Sequence, residues 1–307
     1  MLRRWSPSVR VALALSLVVV AFHAPALPAQ TPYERAQGAL GRNQLDSAYD
    51  LIRRAADAEP GRAEVQFLLG NVACAKAGRA GVFSAYGLAR KCKAGLARAV
   101  ELAPDSLRYL EAFAGFLAQA PGIVGGDKDS ALKLATRVRA RDEVRGTFLL
   151  ANLWWPGNAA SKARADSAVE SLAGAHPADL PVKMRVAEWW SGTGRPERAL
   201  ALYEHVVARD SSDAVGRFLL GRMLVVLKRE PRRAQGHLRF AAAAPAPAPD
   251  STGRRATFTP GAPWWRLGQS YEQLGMVDSA RLCFEQALRV NPKLDVARAS
   301  LDSLSRR

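Results

Sequence analysis

The sequence is poor in the residue types on which most enzyme chemistry depends. Its 307 residues include four histidines and three cysteines, and no His, Cys or acidic set has the spacing of a metal site. The G-x-S-x-G, H-E-x-x-H and C-x-x-C patterns do not occur. We therefore predict that the protein is not an enzyme and binds no metal or cofactor.

Aromatic residues and acidic residues are also scarce. Aromatics make up 7% of the chain while alanine is abundant, which favours closely packed helices over a β-sandwich. Lys and Arg total 44 against 28 Asp and Glu, for a net charge of +16. The excess is mostly arginine and is scattered along the chain, whereas a nucleic-acid-binding face would be clustered. The charge therefore argues against a nucleic-acid partner.

Long apolar runs are absent apart from one at the N-terminus. Arg3, Arg4 and Arg10 precede the predominantly apolar residues 11–22, and Ala24-Pro25-Ala26 follows. This order predicts a signal peptide over residues 1–29, cleaved near Ala26 to Gln30, and a periplasmic or secreted protein with no mature transmembrane segment. The run is short for a membrane span, although an uncleaved anchor remains the alternative. The signal is of the Sec type, and the Arg3-Arg4 pair leaves the twin-arginine route open.

The three cysteines are too few for a disulfide scaffold. Cys74 and Cys92 are 18 residues apart and could meet across a helical hairpin. Alternatively, Cys74, Cys92 and Cys283 are all small buried apolar residues. The sequence does not decide between these two interpretations.

One segment near the C-terminus carries a spaced pattern of small, apolar and aromatic residues. Its members are Trp264, Leu267, Gly268, Tyr271, Ala280, Phe284, Ala287 and Pro292. They fit W-x2-L-G-x2-Y, A-x3-F and P with every interval intact, so the segment resembles a tetratricopeptide repeat, a pair of antiparallel helices. Gly268 and Ala280 are small where the two helices cross, and Pro292 ends the second helix.

Parts of this register recur upstream, for example at Ala36, Ala48 and Pro60. We therefore predict an all-α fold, a right-handed α-solenoid of about seven tetratricopeptide-like helical hairpins with a C-terminal capping helix. The predicted organisation is a signal peptide at 1–29, repeats 1–6 at 30–240, an Ala/Pro-rich linker or loop at 241–260, repeat 7 at 261–294 and the capping helix at 295–307.

Three middle repeats need extra residues between their helices. We predict enlarged loops at 77–87, 120–128 and 156–163. The VFSA segment at 82–85 and the APGIVGG loop at 120–126 resemble a group of exported bacterial tetratricopeptide proteins. Adjacent loops on one edge of the solenoid could form a lip whose apolar contacts are Phe83, Tyr86, Ile123 and Val124. Alternatively, the loops pack on each other and only stabilise the middle repeats.

The family resemblance also implies a binding surface. In the family, the fifth, ninth and twelfth residues of each first helix point to the concave side. Here the candidate partner-binding residues are Tyr33, Gln37, Phe67, Asn71, Phe148, Asn152, Trp155, Phe218, Arg222, Trp265, Gln269 and Glu272. Aromatics beside amides suit peptide recognition, although these residues could instead be packed between repeats.

The combined prediction is a non-catalytic protein–protein interaction scaffold of the bacterial cell envelope. It would bind a protein or peptide partner on its concave face. The alternative is an accessory subunit of an envelope assembly or export machine with a membrane-bound partner. The sequence does not predict the oligomeric state.

Overall fold

The computed structural model describes residues 30–245 and 257–306. These residues form fifteen α-helices and one 3₁₀ turn at Gly122–Val124, and no β-strand occurs among them. The predicted signal peptide and the middle of the predicted linker lie outside the described residues. The helices in chain order are α1 (Pro32–Gly41), α2 (Leu45–Ala58), α3 (Ala63–Ala77), α4 (Val82–Leu102), α5 (Leu107–Gln119), α6 (Lys128–Arg141), α7 (Glu143–Trp154), α8 (Ala159–Ala175), α9 (Leu180–Gly192), α10 (Pro196–Arg209), α11 (Ala214–Val226), α12 (Pro231–Ala243), α13 (Ala262–Gln273), α14 (Val277–Val290) and α15 (Asp295–Ser305).

Each helix packs against the next along the chain. The odd helices from α1 to α13 are the first helices of seven hairpins, the following even helices are their second helices, and α15 packs on α14. Each hairpin contacts mainly its sequence neighbours, which is the organisation of a solenoid. The predicted all-α solenoid of seven hairpins with a C-terminal capping helix is confirmed.

Helix starts follow from short polar side chains that satisfy otherwise unpaired backbone N–H groups. Thr31 forms a capping box with Glu34 at the start of α1. Side-chain caps also begin helices further along the chain, at Asp127, Asp142, Asn158, Asp179 and Asp213. Because one residue, Asp142, both ends α6 and caps α7, repeats 3 and 4 are joined without a loop.

Small residues let the paired helices approach closely. In the second hairpin, a Cβ added to Gly95 would lie 2.8 Å from the Cα of Gly70, so the α3 and α4 backbones touch there. In the last hairpin, a Cβ on Gly268 would overlap the ring of Phe284. The crossing predicted from the repeat pattern thus brings Gly268 against an aromatic residue that is itself fully buried.

The buried apolar residues form two large clusters and a small terminal one. The first cluster runs from Ala36 in α1 to Val138 in α6. The second runs from Val144 in α7 to Cys283 in α14. The third joins Phe284 to Leu304 under the capping helix. The boundary between the two large clusters therefore falls at the α6–α7 junction.

Two of the three predicted enlarged loops are wrong, because their residues are largely helical. Residues 82–87 form the start of α4, which has 21 residues, and residues 159–163 form the start of α8, which has 17. Residues 159–163 are rich in alanine, which favours extension of α8 over a loop. Residues 82–87 contain a single alanine, so helix propensity does not explain the extension of α4. Only 120–128 is largely non-helical, and Gly125 takes a positive φ of 91° at the end of its 3₁₀ turn.

The predicted linker also began too early. Helix α12 continues to Ala243, because the alanines at the start of this tract favour helix over an extended conformation. On its far side, Phe258 is buried, and its ring centroid lies 4.9 Å from that of Phe218 in α11. The chain is therefore packed against the preceding repeat shortly before α13 begins.

A disulfide joins α3 to α4. Cys74 and Cys92 are bonded, with their Cα atoms 5.0 Å apart, while Cys283 is a buried free thiol. The first two cysteines thus follow the disulfide interpretation that the sequence had left open, and Cys283 follows the apolar one.

Candidate partner-binding surface

The first helices of the hairpins line one face of the solenoid, which we call the inner face. Two open grooves lie on it, each between successive first helices. The groove between α7 and α9 has a volume of about 300 Å³, and the groove between α11 and α13 has a volume of about 480 Å³. Five of the predicted residues line these grooves, namely Phe148, Asn152 and Trp155 in the first and Gln269 and Glu272 in the second.

The groove between α7 and α9 combines exposed amide and aromatic groups with charge. Asn152 is exposed, Trp155 is half-buried, and Trp189 meets Trp155 edge-on at 5.3 Å between ring centroids. Arg185 and Glu188 of α9 line the same groove. Burial lowers the pKa of Arg185 and raises the pKa of Glu188, while the neighbouring charges partly oppose both shifts.

Asp166 holds Trp189, which lines this groove, in place by hydrogen bonding. Its carboxylate accepts two hydrogen bonds from Arg195, at 2.5 and 2.7 Å, and a third from Nε1 of Trp189 at 3.2 Å. The guanidinium of Arg195 also stacks on Trp190 at 4.4 Å and on Trp155 at 5.0 Å. The bond to Arg195 is the main reason that the pKa of Asp166 lies below its usual range. These contacts hold α7, α8 and α9 around the groove.

The groove between α11 and α13 presents an arginine that is only partly satisfied. Arg266 stacks on Trp265 at 4.1 Å and donates a hydrogen bond to Gln269 at 2.8 Å. Its Nε is buried and has no hydrogen-bond partner among the described residues. Burial, together with the charge of Arg222, lowers the pKa of Arg266 to about 10. A buried guanidinium with unused donor capacity favours a ligand that brings an acceptor group.

Arginines cover several of the predicted aromatic residues. Three times, an arginine from one repeat lies over the ring at the fifth helix position of the preceding repeat, within cation–π distance. The pairs are Arg62 over Tyr33 at 4.7 Å, Arg108 over Phe67 at 4.5 Å and Arg185 over Phe148 at 4.6 Å. These contacts tie repeat 1 to 2, repeat 2 to 3 and repeat 4 to 5 along the inner face.

The prediction that three phenylalanines offer their rings to a partner is wrong. Phe67, Phe148 and Phe218 are at most 6% exposed. Each ring is packed between successive repeats, with the arginine stem above it or, for Phe218, with Phe258 beside it. These rings hold the repeats together, and the guanidinium groups take their place at the surface.

The remaining candidates are more accessible. Gln37 and Asn152 are exposed, while the others are half-buried: Tyr33, Asn71, Trp155, Arg222, Trp265, Gln269 and Glu272. Gln37 donates a hydrogen bond to the Tyr33 hydroxyl at 3.0 Å, so these two form a separate polar pair on α1. The structure thus gathers the accessible candidates of repeats 4 and 7 into grooves and leaves those of repeat 1 apart.

The family positions did not point to the inner-face arginines other than Arg222. A signal for them is present, because each first helix from the third repeat onward carries at least one arginine. An arginine lies within the first six residues of these helices, for example Arg108, Arg145, Arg185 and Arg266. Arg145 forms a two-pronged ion pair with Glu111 of the preceding repeat. Recurrence of arginine once per repeat therefore indicates a row of basic side chains along the inner face.

The described residues offer little that resembles a catalytic or metal centre. Over 30–245 and 257–306, no group of three or more His, Cys, Asp or Glu side chains is placed to hold a metal ion. In the same residues, no helix combines the length and the apolar character that a membrane crossing needs.

These features define an α-solenoid with a grooved inner face. Residues 261–294 match the family model described as tetratricopeptide repeat, so repeat 7 is a tetratricopeptide repeat. The chain as a whole has the fold of tetratricopeptide repeat proteins, as the comparisons with solved structures show. No curated protein matches the sequence.

Three solved structures illustrate the likeness. A tetratricopeptide repeat protein from Parabacteroides merdae is 11% identical, with a TM-score of 0.51 over 89% of this chain and 97% of its own. Yeast Tom70 is 11% identical, with a TM-score of 0.57 over 92% of this chain and 58% of its own. The human IFIT1 dimer with PPP-AAAA is 15% identical, with a TM-score of 0.52 over 90% and 62%. This chain spans about three-fifths of the last two proteins, and the likeness concerns the fold.

Proposed function

We propose that the protein is a non-catalytic scaffold that holds a protein or peptide partner on the inner face of repeats 4–7. The observation that carries the proposal is the pair of open grooves between α7 and α9 and between α11 and α13. An extended peptide is narrow enough to lie along grooves of this kind, and amide side chains at their rims can bond its backbone.

The charges of this surface favour acidic side chains in the partner. Arg185, Arg222 and Arg266 lie on successive first helices, and Glu188 lies between the first two of these arginines in chain order. Arg266 is half-buried and donates a hydrogen bond to Gln269, and a carboxylate of the partner would add a charged acceptor for the accessible part of its guanidinium. A basic partner would instead add charge to a surface that is already positive.

We also propose that the partner is met in the cell envelope. The leader pattern at 1–29 supports export, and the Cys74–Cys92 bond supports an oxidising compartment, since structural disulfides are rare in the cytosol. Cell fractionation, with thiol labelling of the isolated chain under denaturing conditions, tests this part. We expect the chain in the envelope fraction with Cys283 as its single reactive thiol.

Site-specific photo-crosslinking in cells tests the scaffold proposal. A photo-reactive residue is placed at Asn152 or Gln273, one at each groove, and at the exposed Arg232 of α12 as the matched control. We expect one shared protein adduct from the two groove positions and none from Arg232. No adduct from either groove, or the same adduct from Arg232, would contradict the proposal. A shared adduct that is an integral membrane protein would favour the accessory-subunit alternative.

A further inference from the structure

The first turn of α4 and the 3₁₀ turn of the next repeat expose large apolar side chains. Phe83 is 97% exposed, Ile123 is 77% exposed, and Tyr86 is 43% exposed. Most large apolar residues of the described chain are buried, so this exposure has no role in packing the solenoid. We call these three residues the apolar tip.

The members of the apolar tip lie on the same edge of the solenoid. Phe83 and Tyr86 follow the connection between α3 and α4, and Ile123 lies in the equivalent connection between α5 and α6. Stacked hairpins place such connections side by side. The 3₁₀ turn also contacts α4, where Gly125 lies directly against the side chain of Lys93.

The hairpin that carries most of the apolar tip is strongly basic. Between Glu64 and Glu101 the sequence contains no acidic residue and six basic ones, namely Lys76, Arg79, Arg90, Lys91, Lys93 and Arg98. Two of them are paired with acids from outside this stretch, Lys76 with Asp46 at 2.6 Å and Arg98 with Glu101 at 3.0 Å. Arg79 is exposed, and Arg90 lies 6.0 Å from the ring of Tyr86, so positive charge extends up to the aromatic side chains.

The acidic residue nearest to Ile123 in sequence is already engaged. Asp127 accepts hydrogen bonds from the backbone of Asp129 and from the backbone and hydroxyl of Ser130. These bonds hold its pKa below its usual range. Its carboxylate therefore caps the start of α6.

We propose that the apolar tip docks the protein onto an anionic lipid surface. Phe83 and Ile123 enter the boundary between head groups and acyl chains, Tyr86 lies at head-group depth, and the basic residues of α3 and α4 face the lipid phosphates. A lipid surface fits these observations because it receives a fully protruding ring without a preformed pocket. A second copy of the chain fits poorly, since it would bring the same positive charge to the contact.

Co-flotation with vesicles tests the proposal. The chain isolated from cells is mixed with vesicles of phosphatidylcholine alone, or of phosphatidylcholine containing about 25% phosphatidylglycerol. We expect the wild type to float with the anionic vesicles and to bind neutral ones at least about tenfold more weakly. Failure to float with either composition overturns the proposal and leaves a protein as the occupant of this surface.

Variants separate the apolar from the electrostatic contribution. The double variant Phe83→Ser with Ile123→Ser should reduce binding to anionic vesicles about tenfold or more. Leu282→Ser with Val296→Ser is the matched control, because both residues are exposed on the last hairpin and cap. Arg79→Glu with Arg90→Glu should likewise reduce binding, while Arg232→Glu with Arg289→Glu should leave it within about twofold. Equal losses in the tip and control variants would overturn the proposal.

A conservative substitution reports on insertion directly. Phe83→Trp keeps an aromatic ring at the apolar tip, so vesicle binding should be retained. Relative to the wild type, its added fluorescence should be quenched by lipids brominated on their acyl chains. Retained binding without additional quenching would show that Phe83 stays outside the membrane, and it would overturn the inserted geometry.

Discussion

At the scale of single residues, one close approach between helix backbones depends on a glycine. Gly146 of α7 faces the backbone of Arg139 in α6 so closely that an added Cβ would overlap it. Backbone atoms cannot move aside as a side chain can, so the α6–α7 junction would have to open. The absence of a side chain at residue 146 therefore sets the geometry at the border of the two large core clusters.

The variant Gly146→Ala should destabilise the protein by about 1–3 kcal/mol through overpacking. Gly236→Ala is the matched control, because Gly236 lies inside α12 and an added Cβ would meet nothing within 4 Å. The control should stabilise the protein by about 0.5–1 kcal/mol through helix propensity. Urea unfolding followed by circular dichroism measures both values, and a neutral Gly146→Ala would contradict the tight packing.

The carboxylate of Asp166 should also matter more than an ordinary surface charge. Its side chain and that of Arg195 are 23% and 26% exposed, and three hydrogen bonds converge on it. Asp166→Asn should cost about 1–3 kcal/mol at neutral pH, because Arg195 loses its charged partner while half-buried.

The loss should depend on pH in a defined direction. Because the folded-state pKa of Asp166 lies below its ordinary value of 3.8, its contribution is present above pH 3.8 and is lost as the pH falls below it. The stability difference between wild type and Asp166→Asn should therefore be constant from about pH 7 to pH 5 and shrink as the pH falls further, through 3.8 and below. A difference that did not shrink below about pH 4 would show that the charge is not responsible.

Sequence reasoning found positions on the inner face better than it found their roles. The family resemblance placed Phe67 and Phe148 on the concave side, but a position within the repeat carries no information on what covers a ring. The covering arginines come from the following repeat, more than 30 residues away, so their contacts depend on how the hairpins stack. Asn152, Trp155 and Gln269 could be placed in grooves only once that stacking was known.

At the scale of elements, the second hairpin differs from the others in being cross-linked. The disulfide joins residues 74 and 92 and spans the whole connection between α3 and α4. Both cysteines belong to the basic hairpin that carries most of the apolar tip. Covalent closure of this loop limits the freedom of the unfolded hairpin.

Replacing both cysteines, Cys74→Ala with Cys92→Ala, should destabilise the N-terminal repeats by about 2–4 kcal/mol. Reduction of the wild type with dithiothreitol should lower its stability to a similar extent. The matched control is Cys283→Ala, which removes a buried thiol without breaking a bond. If reduction left the unfolding midpoint of the wild type unchanged, the disulfide would contribute no stability.

The helices themselves could largely be predicted, whereas their lengths could not. The eight-residue pattern of repeat 7 specified both helices and the turn between them, because small and aromatic residues are needed at the crossing. Residues 82–87 and 159–163 looked like insertions, since extra residues shift the register whether they coil or extend a helix. The alanines of residues 159–163 were an available sign that they extend α8, whereas the composition of residues 82–87 gives no such sign for α4.

At the scale of the whole molecule, the two large core clusters meet at the α6–α7 junction, the first spanning Ala36 to Val138 and the second Val144 to Cys283. In a solenoid, each repeat is stabilised mainly by its neighbours, so the two halves of the array need not unfold together. Every tryptophan after Trp5 lies between Trp154 and Trp265, within the second cluster's half. Tryptophan fluorescence therefore reports on the C-terminal repeats, while circular dichroism reports on all helices.

We expect unfolding curves from fluorescence and circular dichroism not to coincide. Cys74→Ala with Cys92→Ala should shift the dichroism curve to lower urea and leave the fluorescence midpoint in place. Leu238→Ala, in the C-terminal cluster, is the complementary variant and should shift the fluorescence midpoint, with a loss of about 2–5 kcal/mol. Superimposable curves for the wild type and both variants would show that the array unfolds as one unit.

The contacts between arginines and aromatic rings of adjoining repeats have a mechanical consequence. Each of these arginines contacts two adjoining repeats and carries its charge on the inner face. The same side chain therefore stabilises the joint between the repeats and is available to the partner. If a bound carboxylate draws an arginine away from its aromatic ring, the cation–π contact between two repeats is lost and the angle between them can change. A change of angle at one joint displaces every repeat that follows it. We therefore expect binding of the partner to change the pitch of the superhelix.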